Sequence, residues 1–411
     1  MADGRPARLM QAAADPGAPA LGAGAAELPR AAVVPSLKIV HVLRAPLGGL
    51  FRHVVDVASG QVKRGHRVGL IVDSTTGGAR ADAALDELAP RLALGLERVA
   101  ITRELSASDF NALRLVSRRI AAAAPDVVHG HGAKGAALAR LSWSAPNAIR
   151  VYTPHGGSLV YRPGTVAGGF YRALEWLLKW RTDLFLFESG YVAGLFRDVI
   201  GRPPAMVRIV HNGVGAAEFA PIAARADASD IVCLGELRPV KAFDVLIEAR
   251  AMLNASGRRV SATIAGEGPL GDELKALAAR AQVGDLVRFA GYRPAREALA
   301  MGRMLVIPSR AESLPYAVLE AAAAGMPIVA TRVGGIPEIF GAQEGHLVAP
   351  DNAGALAGAI AGALDAPAQS RDTADFIRAR VRREFSLAAM VDGGLAAYRD
   401  AIAMRKLAQF A

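Results

Sequence analysis

The stretch KIVHVLRAPLGGLFRHVVDVASGQVKRGHRVGLIV, residues 38–72, decides the fold class. It opens with a short β-branched run (38–43), passes two adjacent glycines, continues with apolar residues at helical spacing (51–64), and closes with a second β-branched run (67–72). A strand, a helix and a strand in this order form a βαβ unit, in which the two strands are parallel. The segment therefore predicts a parallel sheet with helices on its faces.

The same alternation continues along the chain and divides it into two series. Further strand-like runs of the first series are residues 98–102, 126–130, 149–153 and 183–187. The second series begins near VRIVHNGV (207–214), and its strands are 231–235, 260–266, 286–291, 303–309 and 327–333, with helices at about 242–254, 270–282, 294–301 and 315–324. Two α/β series of similar size predict two Rossmann-like, doubly wound domains.

The domain limits follow from changes in composition. Residues 1–36 are rich in Ala, Pro and Gly without an apolar period, which predicts a disordered leader. We assign residues 37–205 to an N-terminal domain and 206–385 to a C-terminal domain, joined near the polar stretch 215–229. The segment 386–411 predicts a final helix that begins with an N-cap serine.

The bulk composition excludes several classes of protein. The chain has 411 residues, of which 52% are hydrophobic and 21% charged, which argues against a disordered or fibrous protein. No apolar run reaches the ~18 residues that cross a bilayer, and the N-terminus lacks a signal-peptide core. Cys233, the single cysteine, lies in an apolar run and is interpreted as a core residue. We expect a cytoplasmic protein, in keeping with a reducing compartment.

The formal net charge of +10 predicts an anionic partner. Nucleic acid, an acidic membrane surface and a phosphorylated substrate all fit this charge. The arginines are scattered rather than clustered, so we do not expect nucleic acid.

Two carboxylates flank a predicted helix start in SRAESLPYAVLEAAAAGMP, residues 309–327. Pro315 suits the first turn of a helix, Glu312 precedes it, and Glu320 follows eight residues later, about two turns on. Both side chains can therefore face one cleft. The free amides at the helix start, beside Leu314, suit an anion such as a diphosphate.

Two cations stand at another turn from strand to helix. Arg238 and Lys241 follow the strand 231–235 and can clamp a diphosphate. Gly266, at the end of the next strand, allows a ligand to approach the backbone closely. A surface basic pair and an ordinary turn are the alternative interpretations of these features.

The first half offers weaker signals. Gly48 and Gly49 resemble a phosphate loop, but the G-x-G-x-x-G pattern is absent, and His155 ends a strand where it can face a cleft. His129 and His131 alternate at the end of another strand, and two histidines without a third ligand do not indicate a metal site. No Asp-x-Asp pair occurs in the chain, so we expect no metal.

Together these features resemble the family 4 glycosyltransferases of GT-B fold over roughly residues 38–385. The matching motifs, in family order, are Gly48-Gly49-Leu-Phe-Arg52-His53-Val, His155-Gly156, Val210-His-Asn212-Gly213-Val, Arg238 with Lys241, Gly266-Glu-Gly-Pro, Glu312 with Glu320 and Gly325-Met-Pro327, and Gly334-Gly335-Ile-Pro337-Glu338. One departure is Ala242, where the family usually has glycine. If that position needs a positive φ, alanine strains it.

The resemblance implies a reaction and a role for each motif. The C-terminal domain would bind a UDP- or GDP-sugar without a metal and transfer the sugar with retained configuration to a glycan or lipid-linked acceptor. Arg238 and Lys241 would neutralise the diphosphate, and Glu320 would hold the ribose hydroxyls. Glu312 would contact the donor sugar. From the N-terminal domain, Gly48, Gly49 and His155 would complete the cleft, and the final helix would cross back to that domain.

The run 170–181 also predicts a contact with a membrane. It has helical period and contains two of the three tryptophans, Trp176 and Trp180, together with several cations. One hypothesis is a surface that rests on anionic lipid at the inner face of the membrane; the alternative is an ordinary core helix.

Other functions stay open at this point. A GT-B nucleotide-sugar epimerase or a sugar phosphorylase would use the same domains. A sugar-nucleotide sensor without turnover, or a basic nucleic-acid-binding protein, would be non-enzymatic.

Overall fold

The computed structural model describes residues 35–156, 159 and 165–410. The leader expected over residues 1–36 lies almost wholly outside the described residues. Within them, the chain forms two parallel sheets, of seven and five strands, each covered by helices. We call the part built on the seven-stranded sheet the first lobe and the part built on the five-stranded sheet the second lobe.

The first lobe has strand order β3-β2-β1-β4-β5-β6-β7, and all of its strand pairs are parallel. Its strands are β1 (Lys38–Leu43), β2 (Arg67–Asp73), β3 (Leu96–Val99), β4 (Val127–His131), β5 (Ile149–Thr153), β6 (Leu184–Phe187) and β7 (Met206–Ile209). Its helices are α1 (Gly48–Lys63), α2 (Gly78–Leu88), α3 (Ser108–Ala123), α4 (Gly132–Leu141), α5 (Val166–Leu178) and α6 (Gly190–Val199).

The second lobe has strand order β10-β9-β8-β11-β12, again with parallel pairs. Its strands are β8 (Ser229–Leu234), β9 (Ala262–Ala265), β10 (Val287–Gly291), β11 (Gly302–Ile307) and β12 (Ile328–Ala330). Its helices are α7 (Phe243–Ala255), α8 (Gly271–Arg280), α9 (Ala295–Leu299), α10 (Tyr316–Ala323), α11 (Ile336–Phe340), α12 (Ala353–Asp365) and α13 (Pro367–Glu384).

The last helix, α14 (Leu387–Phe410), returns to the first lobe, as predicted. Val391, Leu395 and Tyr398 of this helix pack against Ile39 of β1 and the apolar residues of β4 to β6. The amide of Ala389 donates a hydrogen bond to Ser386 Oγ at 3.1 Å, which confirms the N-cap serine. Burial of this apolar face attaches the end of the chain to the sheet that the chain built first.

One strand was wrongly placed. The run 207–214 was expected to open the second series, so the domain limit was set between residues 205 and 206. The structure instead pairs β7 with β6, at the edge of the first sheet. An edge strand with exposed Val207 and Ile209 has no pattern that distinguishes the two sheets, so its partner could not be predicted from the sequence.

Several clusters of buried apolar residues cover the two sheets. Cys233 is fully buried in the core of the second lobe, as expected of a core residue. Burial in apolar surroundings raises the pKa of its thiol far above the ordinary value, which makes the thiol inert. Among the described residues, no helix combines the length and apolarity that a membrane span requires.

Candidate functional site

The C-terminal ends of β8, β9 and β11 bring the predicted cationic and acidic loops of the second lobe together. Gly266, after β9, lies so close to the loop after β8 that a Cβ atom there would overlap Gly235 O. The amide of Arg310, after β11, donates to Val240 O at 2.8 Å. The three loops therefore form one surface at this edge of the sheet, where open α/β sheets bind ligands.

Lys241 and Glu312 form an ion pair on this surface. Lys241 Nζ lies 2.6 Å from Glu312 Oε1, and Ser309 Oγ donates to the same oxygen at 2.7 Å. The Lys241 side chain is 26% exposed and that of Glu312 only 10%. The carboxylate is therefore held firmly beside a partly accessible ammonium group just before α10.

Ala242, the departure from the family pattern, has φ 52° and ψ 40°, which is the left-handed region. It ends the short 3-10 turn Pro239–Lys241 and begins α7. The structure thus confirms that the position demands a positive φ, and alanine accepts a strain that glycine would not carry.

Arg238 takes a different direction from Lys241. Its Nε lies 2.7 Å from Glu236 Oε1, and both side chains are about half exposed. No contact joins Arg238 to Glu312 or Glu320 within the described part of the chain. The sequence did not anticipate Glu236 as its partner.

Glu320 is engaged by Arg52 of the first lobe. Arg52 Nη1 contacts Glu320 Oε1, Nη2 lies 3.0 Å from Glu218 Oε1, and Nε lies 3.4 Å from Asp56 Oδ2. The guanidinium also lies 4.5 Å from the ring centre of Tyr316. One cation is thus shared by three carboxylates at the junction of the lobes.

Burial and the neighbouring charges both change the pKa values of the residues in this cluster. Burial raises the pKa of the Glu320 carboxyl above its ordinary value, although Arg52 opposes the shift. Burial would lower the pKa of the Arg52 guanidinium, but Glu320 and Asp56 raise it above its ordinary value. Each partner therefore favours the charged form of the other, while burial opposes both charges.

His155 and Leu314 lie at the contact between the lobes. Ser313 Oγ donates to His155 O at 3.4 Å, and Asn212 Nδ2 donates to Leu314 O at 3.0 Å. Asn212 Oδ1 lies 2.9 Å from His53 Nδ1. His155 has φ 54°, an unusual conformation for a side-chain-bearing residue that often marks functional positions.

Gly48 and Gly49 are the first two residues of α1, whereas the sequence pattern placed the helix start at residue 51. Gly48 has φ 62°, and no side chain caps the helix start among the residues that the structure covers. Gly49 faces the ring of Tyr316, to which an added Cβ would lie 3.5 Å away. The start of α1, with its uncapped amides, therefore lies beside α10 of the second lobe.

Glu338 links the lobes at a second place. Its two carboxylate oxygens accept hydrogen bonds from the amides of Gly190 and Tyr191, each at 2.9 Å, so that it caps α6 of the first lobe. His211 Nε2 lies 3.0 Å from the same carboxylate. Burial would raise the pKa of Glu338, but the bonds to His211 and the two amides bring it below its ordinary value.

Two buried polar groups near the cleft were missed by sequence reasoning. Glu188, directly after β6, has both carboxylate oxygens buried without a hydrogen-bond partner among the described residues. Burial, with Glu338 nearby, raises its pKa to about 7. The hydroxyl of Tyr316 is also buried and finds no partner in the part of the chain that the structure covers, and burial raises its pKa well above the ordinary value.

The histidines of the first lobe form a larger cluster than the sequence suggested. His41 of β1 lies opposite His129 of β4, because the two strands are parallel neighbours in this register. Two sets of three offer ligand atoms within 4.8 Å of one another: His41, His129 and His131, and His53, His131 and His155. The premise that His129 and His131 lack a third histidine was therefore wrong.

The helix predicted over 170–181 is α5 followed by the 3-10 turn Lys179–Arg181. Phe170, Trp176, Leu177 and Trp180 are 54%, 49%, 58% and 65% exposed. Lys179, one of the cations of this run, is buried, and its Nζ donates to Arg202 O at 3.4 Å. The outer face is therefore aromatic rather than strongly basic.

Comparison with known proteins decides the family. A model described as Glycosyltransferase Family 4 matches residues 47–218, and one described as Glycosyl transferases group 1 matches residues 228–366. A D-inositol 3-phosphate glycosyltransferase of Mycolicibacterium vanbaalenii is 31% identical over 311 residues, which is 68% of this chain and 67% of that protein. The chain belongs to glycosyltransferase family 4. This enzyme thus has the activity class that its sequence motifs imply.

A further relative and a solved structure match most of the length of this glycosyltransferase. A glycogen synthase of Mycobacterium tuberculosis is 28% identical over 370 residues, covering 82% of this chain and 88% of that protein. The solved structure of Anabaena HepE in complex with UDP has a TM-score of 0.72 at 17% identity, covering 89% of this chain and all of HepE. The latter likeness establishes the GT-B fold.

The structure of this glycosyltransferase brings most of the predicted residues to the junction between the lobes or to the loop surface beside it. Lys241, Glu312 and Gly266 share the loop surface of the second lobe, and Glu320 meets Arg52 from the first. Across the junction, Gly49 lies beside Tyr316 and His155 beside Ser313, whereas Arg238 pairs with Glu236 outside these contacts. Their roles in binding and catalysis stay predictions.

Proposed function

We propose that this glycosyltransferase moves a sugar from a UDP- or GDP-sugar to a glycan or lipid-linked acceptor, with retained configuration and without a metal, in cell-surface polysaccharide synthesis. The observation that carries the proposal is the ion pair of Lys241 and Glu312 before α10. It sets a cation and a carboxylate beside a helix start where a sugar diphosphate fits.

The transfer breaks the bond between the anomeric carbon and a diphosphate oxygen and forms a bond from that carbon to the acceptor oxygen. The nucleoside diphosphate takes the electron pair of the broken bond, and its departing oxygen accepts the proton of the acceptor hydroxyl. Negative charge therefore builds on the diphosphate while the sugar gains oxocarbenium character. Fixed cations and amides stabilise this charge, and losing one such donor costs ~3 kcal/mol.

The second lobe supplies the donor side in this proposal. Lys241 neutralises the diphosphate while Glu312 keeps its ammonium group in place and contacts the donor sugar. Arg238, half exposed, turns from Glu236 toward the diphosphate. Glu320 holds the ribose hydroxyls, so the donor must share or displace Arg52.

The first lobe supplies the opposite wall. Gly48 and Gly49 place the start of α1 against the cleft, and His155 lies beside the Ser313–Leu314 loop that precedes α10. Closure of the lobes over the donor would exclude water and limit hydrolysis. The solved complex of HepE with UDP supports a nucleoside diphosphate ligand for this fold.

A thermal-shift panel of nucleoside diphosphates and their sugars tests the donor. A ligand at 100 times its dissociation constant stabilises the folded protein by about 2.7 kcal/mol, so the right base and sugar should stand out. We expect UDP or GDP and one of their sugars to raise the melting temperature with and without EDTA. A shift that appears only with a divalent cation would refute metal independence.

Product analysis separates the transferase from its alternatives. A transferase yields a nucleoside diphosphate and a new glycoside in equal amounts. Release of a hexose phosphate that requires phosphate would indicate a phosphorylase, and isomerisation of the donor sugar would indicate an epimerase. Binding without any turnover in the presence of acceptors would indicate a sensor.

We also propose that α5 rests on an anionic membrane surface, which would bring the cleft to a lipid-linked acceptor. Four large apolar side chains are about half or more exposed along α5 and the turn that follows it, and the chain carries a net charge of +10. Aromatic side chains at this exposure suit the lipid interface. In this proposal the enzyme is a peripheral protein of the cytoplasm at the inner face of the membrane.

Vesicle flotation tests this surface with a matched control. We expect Trp176→Ala/Trp180→Ala to lose binding to vesicles that contain anionic lipid. Phe376→Ala, which removes an exposed aromatic residue from α13 of the second lobe, should bind as the parent does. Equal flotation of both variants would refute a membrane contact through α5.

A further inference from the structure

A chain of hydrogen bonds runs from the interior of the first lobe to His155. Gln61, fully buried on α1, has its Oε1 2.9 Å from His41 Nε2. His41 Nδ1 lies 2.9 Å from His131 Nε2, and His131 Nδ1 lies 3.1 Å from His155 Nε2. Two imidazoles thus connect a buried amide to His155.

Each ring in this chain is neutral, so each carries one proton. Burial lowers the pKa of His41 to about 4 and lowers the pKa of His131 and His155 well below the ordinary value. A neutral imidazole donates from one nitrogen and accepts at the other. The direction of the first hydrogen bond therefore determines the direction of all the others.

The carbonyl oxygen of Gln61 sets that direction because it can only accept. His41 must then donate from Nε2 and accept at Nδ1. His131 in turn donates from Nε2 and accepts at Nδ1, and His155 donates from Nε2. His155 Nδ1 is left with a free lone pair, and no described residue hydrogen-bonds to it.

The amide nitrogen of Gln61 begins a second chain. Gln61 Nε2 donates to Tyr398 Oη at 3.5 Å, and this hydroxyl lies 2.7 Å from His129 Nδ1. His129 Nε2 lies 2.8 Å from Thr153 Oγ1. If the amide were reversed, its NH₂ group would face His41 and every tautomer in the first chain would invert.

A metal ion explains the same cluster less well. A zinc ion held by His41 and His131 needs lone pairs on both facing nitrogens at ~2.0–2.1 Å from the metal. In the structure these nitrogens lie 2.9 Å apart, as a hydrogen bond that shares one proton. Both nitrogens of His129 are also paired, with Tyr398 and Thr153. One consistent set of tautomers satisfies these rings without a metal.

We propose that Gln61 is a positioning residue: through His41 and His131 it holds His155 in the tautomer protonated on Nε2, which leaves Nδ1 as a hydrogen-bond acceptor at the cleft. The acceptor fits a hydroxyl group of the donor sugar or of the glycan acceptor. The catalytic meaning of His155 rests on the proposed function, whereas its tautomer does not.

Nitrogen NMR of protein labelled in its histidines reads the tautomer directly. His155→Gln assigns the resonances of His155 by their loss. At pH 7.5 we expect His155 of the parent protein to carry its proton on Nε2. Gln61→Met removes the acceptor and should give a mixture of tautomers, whereas Gln61→Glu keeps an acceptor and should restore the parent state.

Two comparisons separate positioning from simple packing. Thr153→Val interrupts only the second chain and should leave the tautomer of His155 unchanged. With the donor found by the thermal-shift panel, kcat/KM should fall about 5- to 10-fold in Gln61→Met, which is the effect of one misdirected hydrogen bond, and recover in Gln61→Glu.

Each contrary outcome is distinct. A proton on Nδ1 of His155 in the parent protein overturns the proposal even if Gln61→Met fails to fold. An unchanged tautomer in Gln61→Met overturns the role of Gln61. If the parent protein binds a metal in stoichiometric amount and His41→Gln loses it, the cluster is a metal site and not a hydrogen-bonded chain. Absence of transferase activity with a confirmed tautomer refutes the proposed function alone.

Discussion

Replacing Glu188 with glutamine should stabilise the protein at alkaline pH. The residue is 1% exposed, and no residue that the structure describes hydrogen-bonds to its two buried carboxylate oxygens. Burial, together with Glu338, raises its pKa from 4.5 to about 7. Glutamine has nearly the same shape but never ionises, so it removes the cost of a buried charge.

The raised pKa of Glu188 determines how the stability of the protein changes with pH. In the unfolded chain the carboxyl ionises near pH 4.5, whereas in the folded chain it stays protonated up to about pH 7. The folded state therefore binds the proton more tightly, and stability falls as pH rises between these two values. A shift of this size corresponds to about 3 kcal/mol at pH 8 and to nearly nothing at pH 4.5.

Thermal unfolding at several pH values measures this difference. At pH 8 the melting temperature of Glu188→Gln should exceed that of the parent by about 4 °C for a body of this size, and the gap should close toward pH 5. Glu248→Gln, at an exposed position on α7, should show no gap at either pH. A gap that does not change with pH, or a variant less stable than the parent at pH 8, would refute the reasoning.

Two other substitutions test the junction and the strained turn. Arg52→Met should destabilise the protein by about 2–3 kcal/mol at pH 8, because it leaves the buried Glu320 beside Asp56 and Glu218 without a cation. Burial already raises the pKa of Glu320 and Asp56, so the loss should shrink as pH falls to 5 and the carboxylates take up protons. Urea unfolding at both pH values measures it, and a loss that grows on acidification would contradict the assignment. Ala242→Gly should change stability by less than about 1 kcal/mol, since relief of the positive φ offsets the lost methyl group, whereas Ala242→Val should cost at least about 2 kcal/mol. Equal stability of these two variants would show that the turn is not strained.

The sequence predicted the strands of both sheets because buried parallel strands are continuous β-branched runs. It also predicted the return of the last helix. It did not identify α12 and α13, in which glycine and scattered polar residues weaken the helical pattern. It assigned β7 to the wrong series because an exposed edge strand carries no signal of its partner.

The site was predictable where function lies in local motifs and unpredictable where it lies in long-range contacts. Lys241 and Glu312 could be placed together because both follow strands of one parallel sheet. The contact of Arg52 with Glu320 spans 268 residues, and no local pattern indicates it. The position of His41 beside His129 depends on the strand register, and the burial of Glu188 depends on packing across the lobes.

The ratio of kcat/KM between the parent and Lys241→Met, with the nucleotide sugar that the thermal-shift panel identifies, tests the central claim most directly. The account predicts a loss of about 100-fold or more, because Lys241 stabilises charge that develops on the departing diphosphate. Lys275→Met, which removes an exposed lysine of α8, should behave as the parent does. A loss of less than about threefold in Lys241→Met would contradict the claim that the diphosphate leaves beside this residue.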